Sequence, residues 1–134
     1  MHTPEPARPP RIVVADDHEW IRQIVAQVTR ETLPLAEVVE TADGAQALEA
    51  YRRGPCDFLI TNHAMPHMDG PQLVRTVRAE SAELPILMVS IHPSVNIEAL
   101  EAGANWFLTK EQIMECMPPL LLGHTRGGTA PERA

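Results

Sequence analysis

The chain has 134 residues, of which 44% are apolar and 22% are charged, and its formal net charge is −7. This size and composition predict one globular domain rather than two domains or a disordered chain. The acidic balance argues against a nucleic-acid surface, and no apolar run approaches the roughly 20 residues of a membrane span. The N-terminus has no secretory signal pattern, and the spacing of Cys56 and Cys116 predicts reduced thiols in a cytoplasmic protein.

The two ends of the chain differ in composition from the centre. Residues 1–10 include four prolines and predict a flexible arm. Residues 123–134 (GHTRGGTAPERA) predict a flexible tail or the start of a linker. The domain itself is therefore predicted to span residues 11–122.

Strands and helices alternate five times between these ends. Apolar and β-branched runs predict strands at 11–16, 37–41, 56–62, 84–90 and 105–109. Helical periodicity predicts helices that end at Leu33-Pro34 and near Gly54-Pro55, and further helices at about 71–81 and 94–102. A fifth helix is predicted either to end by Met117 or to restart at Pro118-Pro119. The alternation predicts an α/β fold, a doubly wound parallel sheet with helices on both faces.

Polar residues follow four of the predicted strands. Asp16 and Asp17 close the first strand, Asn62 the third, Ser90 the fourth and Lys110 the fifth. Because the carboxyl ends of parallel strands meet at one edge of the sheet, we expect these side chains to form one pocket. Adjacent acids favour a cation, and hard oxygen ligands suit Mg²⁺. The ammonium and the hydroxyl are suited to an oxyanion such as phosphate.

The motifs at these strand ends resemble the receiver domain of bacterial two-component response regulators. VVADDH, DFLITNHAMPHMDG, PILMVS and GANWFLTK occur in order and with the family's spacing, over residues 11 to about 122. The resemblance implies a flavodoxin-like receiver fold, a five-stranded parallel sheet with strand order 2-1-3-4-5. The ADDH opening and His92 resemble the subgroup often fused to a helix-turn-helix DNA-binding domain.

The resemblance also implies roles for individual residues. These are a metal site of Asp16, Asp17 and the backbone carbonyl of Ala64, a phosphate pocket of Ser90 and Lys110, and a switch pair of Ser90 and Phe107.

Asn62 departs from the family's pattern. The resemblance places it at the phosphoacceptor position, where the family has the aspartate that takes a phosphoryl group from a histidine kinase. An amide oxygen is a poor nucleophile and carries no charge. With two carboxylates instead of three, we expect weakened Mg²⁺ binding. We also expect an Asn62–Lys110 hydrogen bond that holds the pocket in one state. Glu111 replaces the family's usual proline.

Three interpretations of function follow. The first is a receiver-like phosphorelay module that takes no aspartyl phosphate and acts through protein–protein contacts. Its partners would be a histidine kinase or another signalling protein, and a second copy through the helix 4–strand 5–helix 5 face. The second is an ordinary phosphorylation-driven regulator whose acceptor was deliberately changed to Asn62, as a fragment of a DNA-binding transcriptional regulator. The third, a Mg²⁺-dependent phosphotransferase or hydrolase, lacks a nucleophile, so we do not predict an enzyme.

Four histidines fall on loops at the same predicted edge. Their spacing matches no metal motif, so we predict surface histidines rather than a transition-metal site or a pH-responsive cluster. They are His18, His63, His67 and His92.

Overall fold

Five strands and five helices alternate along residues 8–125, which are the residues that the computed structural model describes. In chain order the elements are β1 (Arg11–Ala15), α1 (Glu19–Thr32), β2 (Glu37–Thr41), α2 (Gly44–Arg53), β3 (Phe58–Asn62), α3 (Gly70–Glu80), β4 (Ile86–Ser90), α4 (Asn96–Ala102), β5 (Trp106–Thr109) and α5 (Ile113–His124). Short 3-10 turns, Pro93–Val95 and Lys110–Gln112, precede α4 and α5.

The strands form one parallel sheet in the order β2-β1-β3-β4-β5. This confirms the predicted doubly wound sheet and its strand order. Asn62 lies opposite Val89 of β4, and Ser90 lies opposite Thr109 of β5. This register brings the carboxyl ends of the three strands to one edge of the sheet.

Alternate residues of the central strands supply the core on each side of the sheet. Ile12 and Val14 pack with α1 and α5, whereas Val13 and Ala15 pack with α2, α3 and α4. All four are at most 1% exposed. Burial on both faces explains the continuous apolar runs in the sequence, which are typical of parallel strands.

Helix α3 begins as the sequence predicts. The Asp69 carboxylate accepts a hydrogen bond from the backbone N–H of Gln72, and Pro71 lies in the first turn. The inward face of α3 is formed by Leu73, Val74 and Val77, which are fully buried. The start of α3 fixes the end of the loop that follows β3.

Helix α5 differs from both sequence predictions. It runs without interruption to His124, through Pro118 and Pro119. Prolines inside a helix remove N–H donors and strain the backbone. The face formed by Ile113, Met117 and Leu121 is nevertheless buried against the sheet and α1. Burial of that face outweighs the local cost of the prolines, which periodicity alone does not reveal.

Ordered structure continues on both sides of residues 11–122. Helix α5 passes residue 122, and the segment before β1 is fixed to the sheet. Arg8 forms a two-pronged ion pair with Asp57, and the carbonyl of Pro10 accepts from the N–H of Glu37. The remaining parts of the predicted arm and tail, 1–7 and 126–134, lie outside the described residues.

Arg78 fixes α3 to the loop before β4 and to the loop between α4 and β5. Its guanidinium donates to the carbonyls of Ser81, Ala82, Leu84 and Gly103 and to the side chain of Asn105. Gly103 has a φ of 121°, and a Cβ there would lie 3.2 Å from the Arg78 side chain. Partial burial lowers the pKa of Arg78, so its many acceptors offset a desolvation cost.

Within residues 8–125, every helix is too short or too polar to cross a bilayer.

Candidate functional site

The polar residues predicted to converge do converge. One small cavity at the carboxyl edge of the sheet is lined by Asp16, Asn62, Ser90 and Lys110, together with the apolar residues Ile21, Val89 and Ile91. The cavity has a volume of about 10 Å³, which is space for about one water molecule. We call this cavity and its polar residues, with Asp17, the strand-end pocket.

The two acids of the strand-end pocket have different surroundings. Asp16 is buried, and its Oδ1 accepts a hydrogen bond of 2.9 Å from the backbone N–H of His18. Burial raises the pKa of Asp16 to about 6, and the charge of Asp17 adds to the rise, against the opposing hydrogen bond from His18. Asp17 is exposed. The buried carboxyl therefore gains a proton more readily than an ordinary aspartate.

Asn62 lies beside Asp17, at the end of β3. Its amide nitrogen donates to the Ala64 carbonyl at 3.0 Å and lies 3.5 Å from Asp17 Oδ1, the long limit of a hydrogen bond. The expected Asn62–Lys110 hydrogen bond is absent among the described residues, so that expectation is wrong. The amide instead points its N–H groups across the loop, toward oxygens on the other side of the pocket.

Lys110 contacts an aromatic ring rather than the amide. Its Nζ lies 4.7 Å from the centroid of the Trp20 ring, in the first turn of α1. An ammonium over an indole face is attracted by the ring's quadrupole. Lys110 also lines a groove of about 420 Å³ between α1 and α5, with Ile24 and Met114. Lys110 therefore lines both the groove and the strand-end pocket.

The two expected switch residues line different cavities. Ser90 is buried, and its hydroxyl oxygen accepts from the backbone N–H of His92 at 3.0 Å. Phe107 is half-buried and lines a second groove, of about 360 Å³, with Leu100, Trp106 and residues of α5. The structure therefore brings Ser90 into the strand-end pocket but places Phe107 on the α4–β5–α5 face.

The loop between β3 and α3 is held at both of its histidines. His63 Nε2 lies 2.7 Å from Glu98 of α4, and His67 Nδ1 lies 2.9 Å from Asp43, the N-cap of α2. Within residues 8–125, no group of three or more histidines, cysteines or acids is arranged to hold a metal ion.

Gly70 lets α3 begin directly against the end of β3. A Cβ at this position would lie 2.1 Å from the backbone oxygen of Asn62, and the N–H of Gly70 donates to the carbonyl of His63. The close approach leaves no room for any larger residue. It fixes the backbone that carries the Asn62 side chain.

The expected metal ligands can be tested against this geometry. Asp17 Oδ1 and the Ala64 carbonyl would both have to face a cation, and both face the amide nitrogen of Asn62 instead. Asp16 already accepts from His18. This arrangement does not suit a divalent cation, because N–H donors lie where the ion's positive charge would lie.

Sequence reasoning missed two features of the site. It did not place Trp20 in the site, yet the ring is 62% exposed and contacts Lys110. It also missed the pairing of His63 and His67 with carboxylates. The first-turn position of Trp20, three residues after Asp17, places it at the correct edge, but side-chain direction decides the contact with Lys110.

Comparison with known proteins defines the family of this chain. The chain matches the response regulator receiver domain family over residues 12–117. This range covers most of the chain and all of the strand-end pocket, and the chain belongs to this family. It is also 36% identical over 104 residues to the chemotaxis protein CheY of Pseudomonas aeruginosa, covering 75% of this chain and 83% of CheY.

A second relative is longer than this chain. The probable transcriptional regulatory protein NarL of Mycobacterium tuberculosis is 34% identical over 113 residues, covering 83% of this chain and 52% of NarL. The chain thus spans about half the length of that relative. Among solved structures, the chemotaxis protein CheY4 of Vibrio cholerae is similar with a TM-score of 0.70 and 28% identity, over 81% of this chain and 96% of CheY4.

Proposed function

We propose that this receiver domain takes no phosphoryl group at position 62 and signals through protein–protein contacts. The observation that carries the proposal is an amide at the carboxyl end of β3, beside Asp17, Ser90 and Lys110. By resemblance this is the phosphoacceptor position. A neutral amide cannot replace the carboxylate that attacks phosphorus.

The contacts of the strand-end pocket support the same proposal. The Asn62 amide donates to Ala64, the Ser90 hydroxyl accepts from His92, and Lys110 is drawn to Trp20. Each group expected to hold phosphate thus has another partner within the chain. The cavity between these groups has a volume of about 10 Å³, which is space for about one water molecule.

The α4–β5–α5 face supports the proposed contacts with partners. Ile97 is 65% exposed and Leu100 47% exposed, next to the groove that Phe107 lines. Exposed apolar residues beside a groove are typical of protein interaction surfaces. We propose that this face binds another signalling protein or a second copy of the chain, and that a histidine kinase is a further partner. The proposed module works in the cytoplasm, is not an enzyme and does not itself bind nucleic acid.

Backbone NMR tests whether the domain responds to a phosphodonor. Wild-type protein and Asn62→Asp are each titrated with Mg²⁺ and a small-molecule phosphodonor, and the resonances of Ser90 and Phe107 are followed. We expect donor-dependent shifts only in Asn62→Asp, because only this variant supplies a carboxylate nucleophile. The same shifts in the wild type would overturn the proposal.

A second proposal follows from the match to NarL. We propose that this receiver belongs to a longer transcriptional regulator, in which a separate domain binds DNA. The reading frame of the gene tests it, through the presence or absence of a helix-turn-helix region after residue 134. Codon 62 of the same gene distinguishes a natural asparagine from a deliberate replacement of aspartate, which would restore the ordinary phosphorylation cycle.

A further inference from the structure

The amide of Asn62 faces an unusual pair of oxygens. Its nitrogen donates to the Ala64 carbonyl at 3.0 Å and lies 3.5 Å from Asp17 Oδ1. By resemblance these two oxygens, with Asp16, would face a divalent cation in a receiver domain. In this chain a side chain of the protein itself approaches both.

An amide nitrogen can take over part of the cation's electrostatic role. Its two N–H groups carry partial positive charge and point away from the side chain in a fixed plane. Directed at a carboxylate and a carbonyl, they offset the accumulation of negative charge that otherwise favours a cation. They also occupy the directions from which an ion would approach those oxygens.

Asp16, the remaining expected ligand, also accepts hydrogen bonds from other residues of the chain. The backbone N–H of His18 donates to Asp16 Oδ1 at 2.9 Å, and the guanidinium of Arg22 donates to the backbone carbonyl of Asp16 at 3.0 Å. All three expected ligand residues therefore receive hydrogen bonds from within the chain. The cavity that remains has a volume of only about 10 Å³.

We infer that the Asn62 side-chain amide is an internal replacement for the divalent cation, bridging Asp17 and Ala64 and holding the strand-end pocket together without metal. This deepens the proposed function, because it makes the arrangement of the pocket a property of the chain rather than of its ionic surroundings. It also separates two effects of asparagine, the loss of a carboxylate and the gain of a competing donor.

Removing the amide without adding a charge distinguishes these two effects. Mg²⁺ is titrated into the wild type, Asn62→Ala and Asn62→Asp, and binding is followed by calorimetry and by amide resonances of residues 15–18 and 62–64. If the amide competes with the ion, Asn62→Ala binds Mg²⁺ about tenfold more tightly than the wild type. The factor corresponds to one hydrogen bond, which Mg²⁺ must break in the wild type and which the alanine variant does not have. Asn62→Asp binds more tightly still, because it adds a third carboxylate.

Asn96→Ala is the matched control, because Asn96 is an exposed asparagine on α4, away from the pocket. It is expected to bind Mg²⁺ as the wild type does. Equal or weaker Mg²⁺ binding by folded Asn62→Ala, relative to the wild type, would overturn the inference. That result would leave the proposed inability to take phosphate unaffected, since Mg²⁺ titration involves no phosphodonor.

A measurement on the wild type keeps the inference testable if Asn62→Ala does not fold. The side-chain NH₂ resonances of Asn62 are assigned by their absence from the spectrum of Asn62→Asp. We expect them to stay unshifted by Mg²⁺ at concentrations that saturate Asn62→Asp. Shifts of these resonances in the wild type over the concentration range that saturates Asn62→Asp would contradict an amide that excludes the ion.

Discussion

Asp16→Asn is predicted to stabilise the protein near neutral pH and to leave its stability unchanged in acid. Asp16 is only 4% exposed, and burial raises its pKa to about 6 from an ordinary value of about 3.9. The folded state therefore holds this proton over a pH range in which the unfolded chain releases it. The stabilising contribution of the protonated Asp16 to the free energy of unfolding is therefore fully present below about pH 4 and is lost as the pH rises through about 6.

The size of the effect follows from the shift. A pKa difference of one unit between the folded and unfolded states corresponds to about 1.4 kcal/mol. A difference of about two units therefore lowers the free energy of unfolding by at most about 3 kcal/mol above pH 7. Asparagine keeps the oxygen that accepts from His18 but cannot ionise. The advantage of Asp16→Asn over the wild type should therefore grow from near zero at about pH 4 to about 2–3 kcal/mol at about pH 7.5.

Urea unfolding followed by circular dichroism, at intervals across this pH range, measures the difference in unfolding free energy. Asp69→Asn is the matched control, because Asp69 is the N-cap of α3 and asparagine caps a helix about as well as aspartate. The control is expected to change stability by only a few tenths of a kcal/mol. If the advantage of Asp16→Asn does not vary with pH, or if the variant is less stable at neutral pH, burial of the Asp16 charge is not the cause.

Three further substitutions test the packing around the pocket, each by urea unfolding. Arg78→Lys should lower the free energy of unfolding by about 2–4 kcal/mol, because an ammonium cannot reach the five acceptors of the guanidinium. The control Arg75→Lys, on the exposed side of α3, should change it little, and equal losses in the two variants would contradict this reasoning. Gly70→Ala should lower the free energy of unfolding by at least about 2 kcal/mol, because its Cβ would clash with the backbone oxygen of Asn62. The control Gly123→Ala, in α5, has open space around its Cβ and should raise the free energy of unfolding by up to about 1 kcal/mol. An unchanged stability of Gly70→Ala would show that α3 shifts freely. Pro119→Ala should stabilise by about 1–3 kcal/mol, since Pro119 is an exposed proline inside a helix, and a loss of stability would show that the proline itself is needed there.

The alternation of strands and helices was predictable because its physical cause is local. Buried parallel strands require continuous apolar runs, and helices that cover a sheet require an apolar stripe. Strand ends then meet at one edge, so the convergence of Asp16, Asn62, Ser90 and Lys110 followed from topology alone. The course of α5 was not predictable, because tertiary burial of Met117 and Leu121 overrides the effect of two prolines.

The contacts inside the pocket depend on rotamers, which sequence patterns do not specify. The expected bond between Asn62 and Lys110 required both side chains to point into the same space. In the structure the amide points toward Ala64, and the ammonium lies over the Trp20 ring. Lys110 has a long, flexible stem, so small differences in attraction decide its direction.

The most direct test of the central claim is the intact mass of the protein after incubation with Mg²⁺ and a small-molecule phosphodonor. The wild type and Asn62→Asp are compared, and any adduct is challenged with acid and with base. We predict that only Asn62→Asp gains the mass of one phosphoryl group, in a form that resists acid and is released by base. An adduct of the same stability on the unmodified wild type would contradict the account.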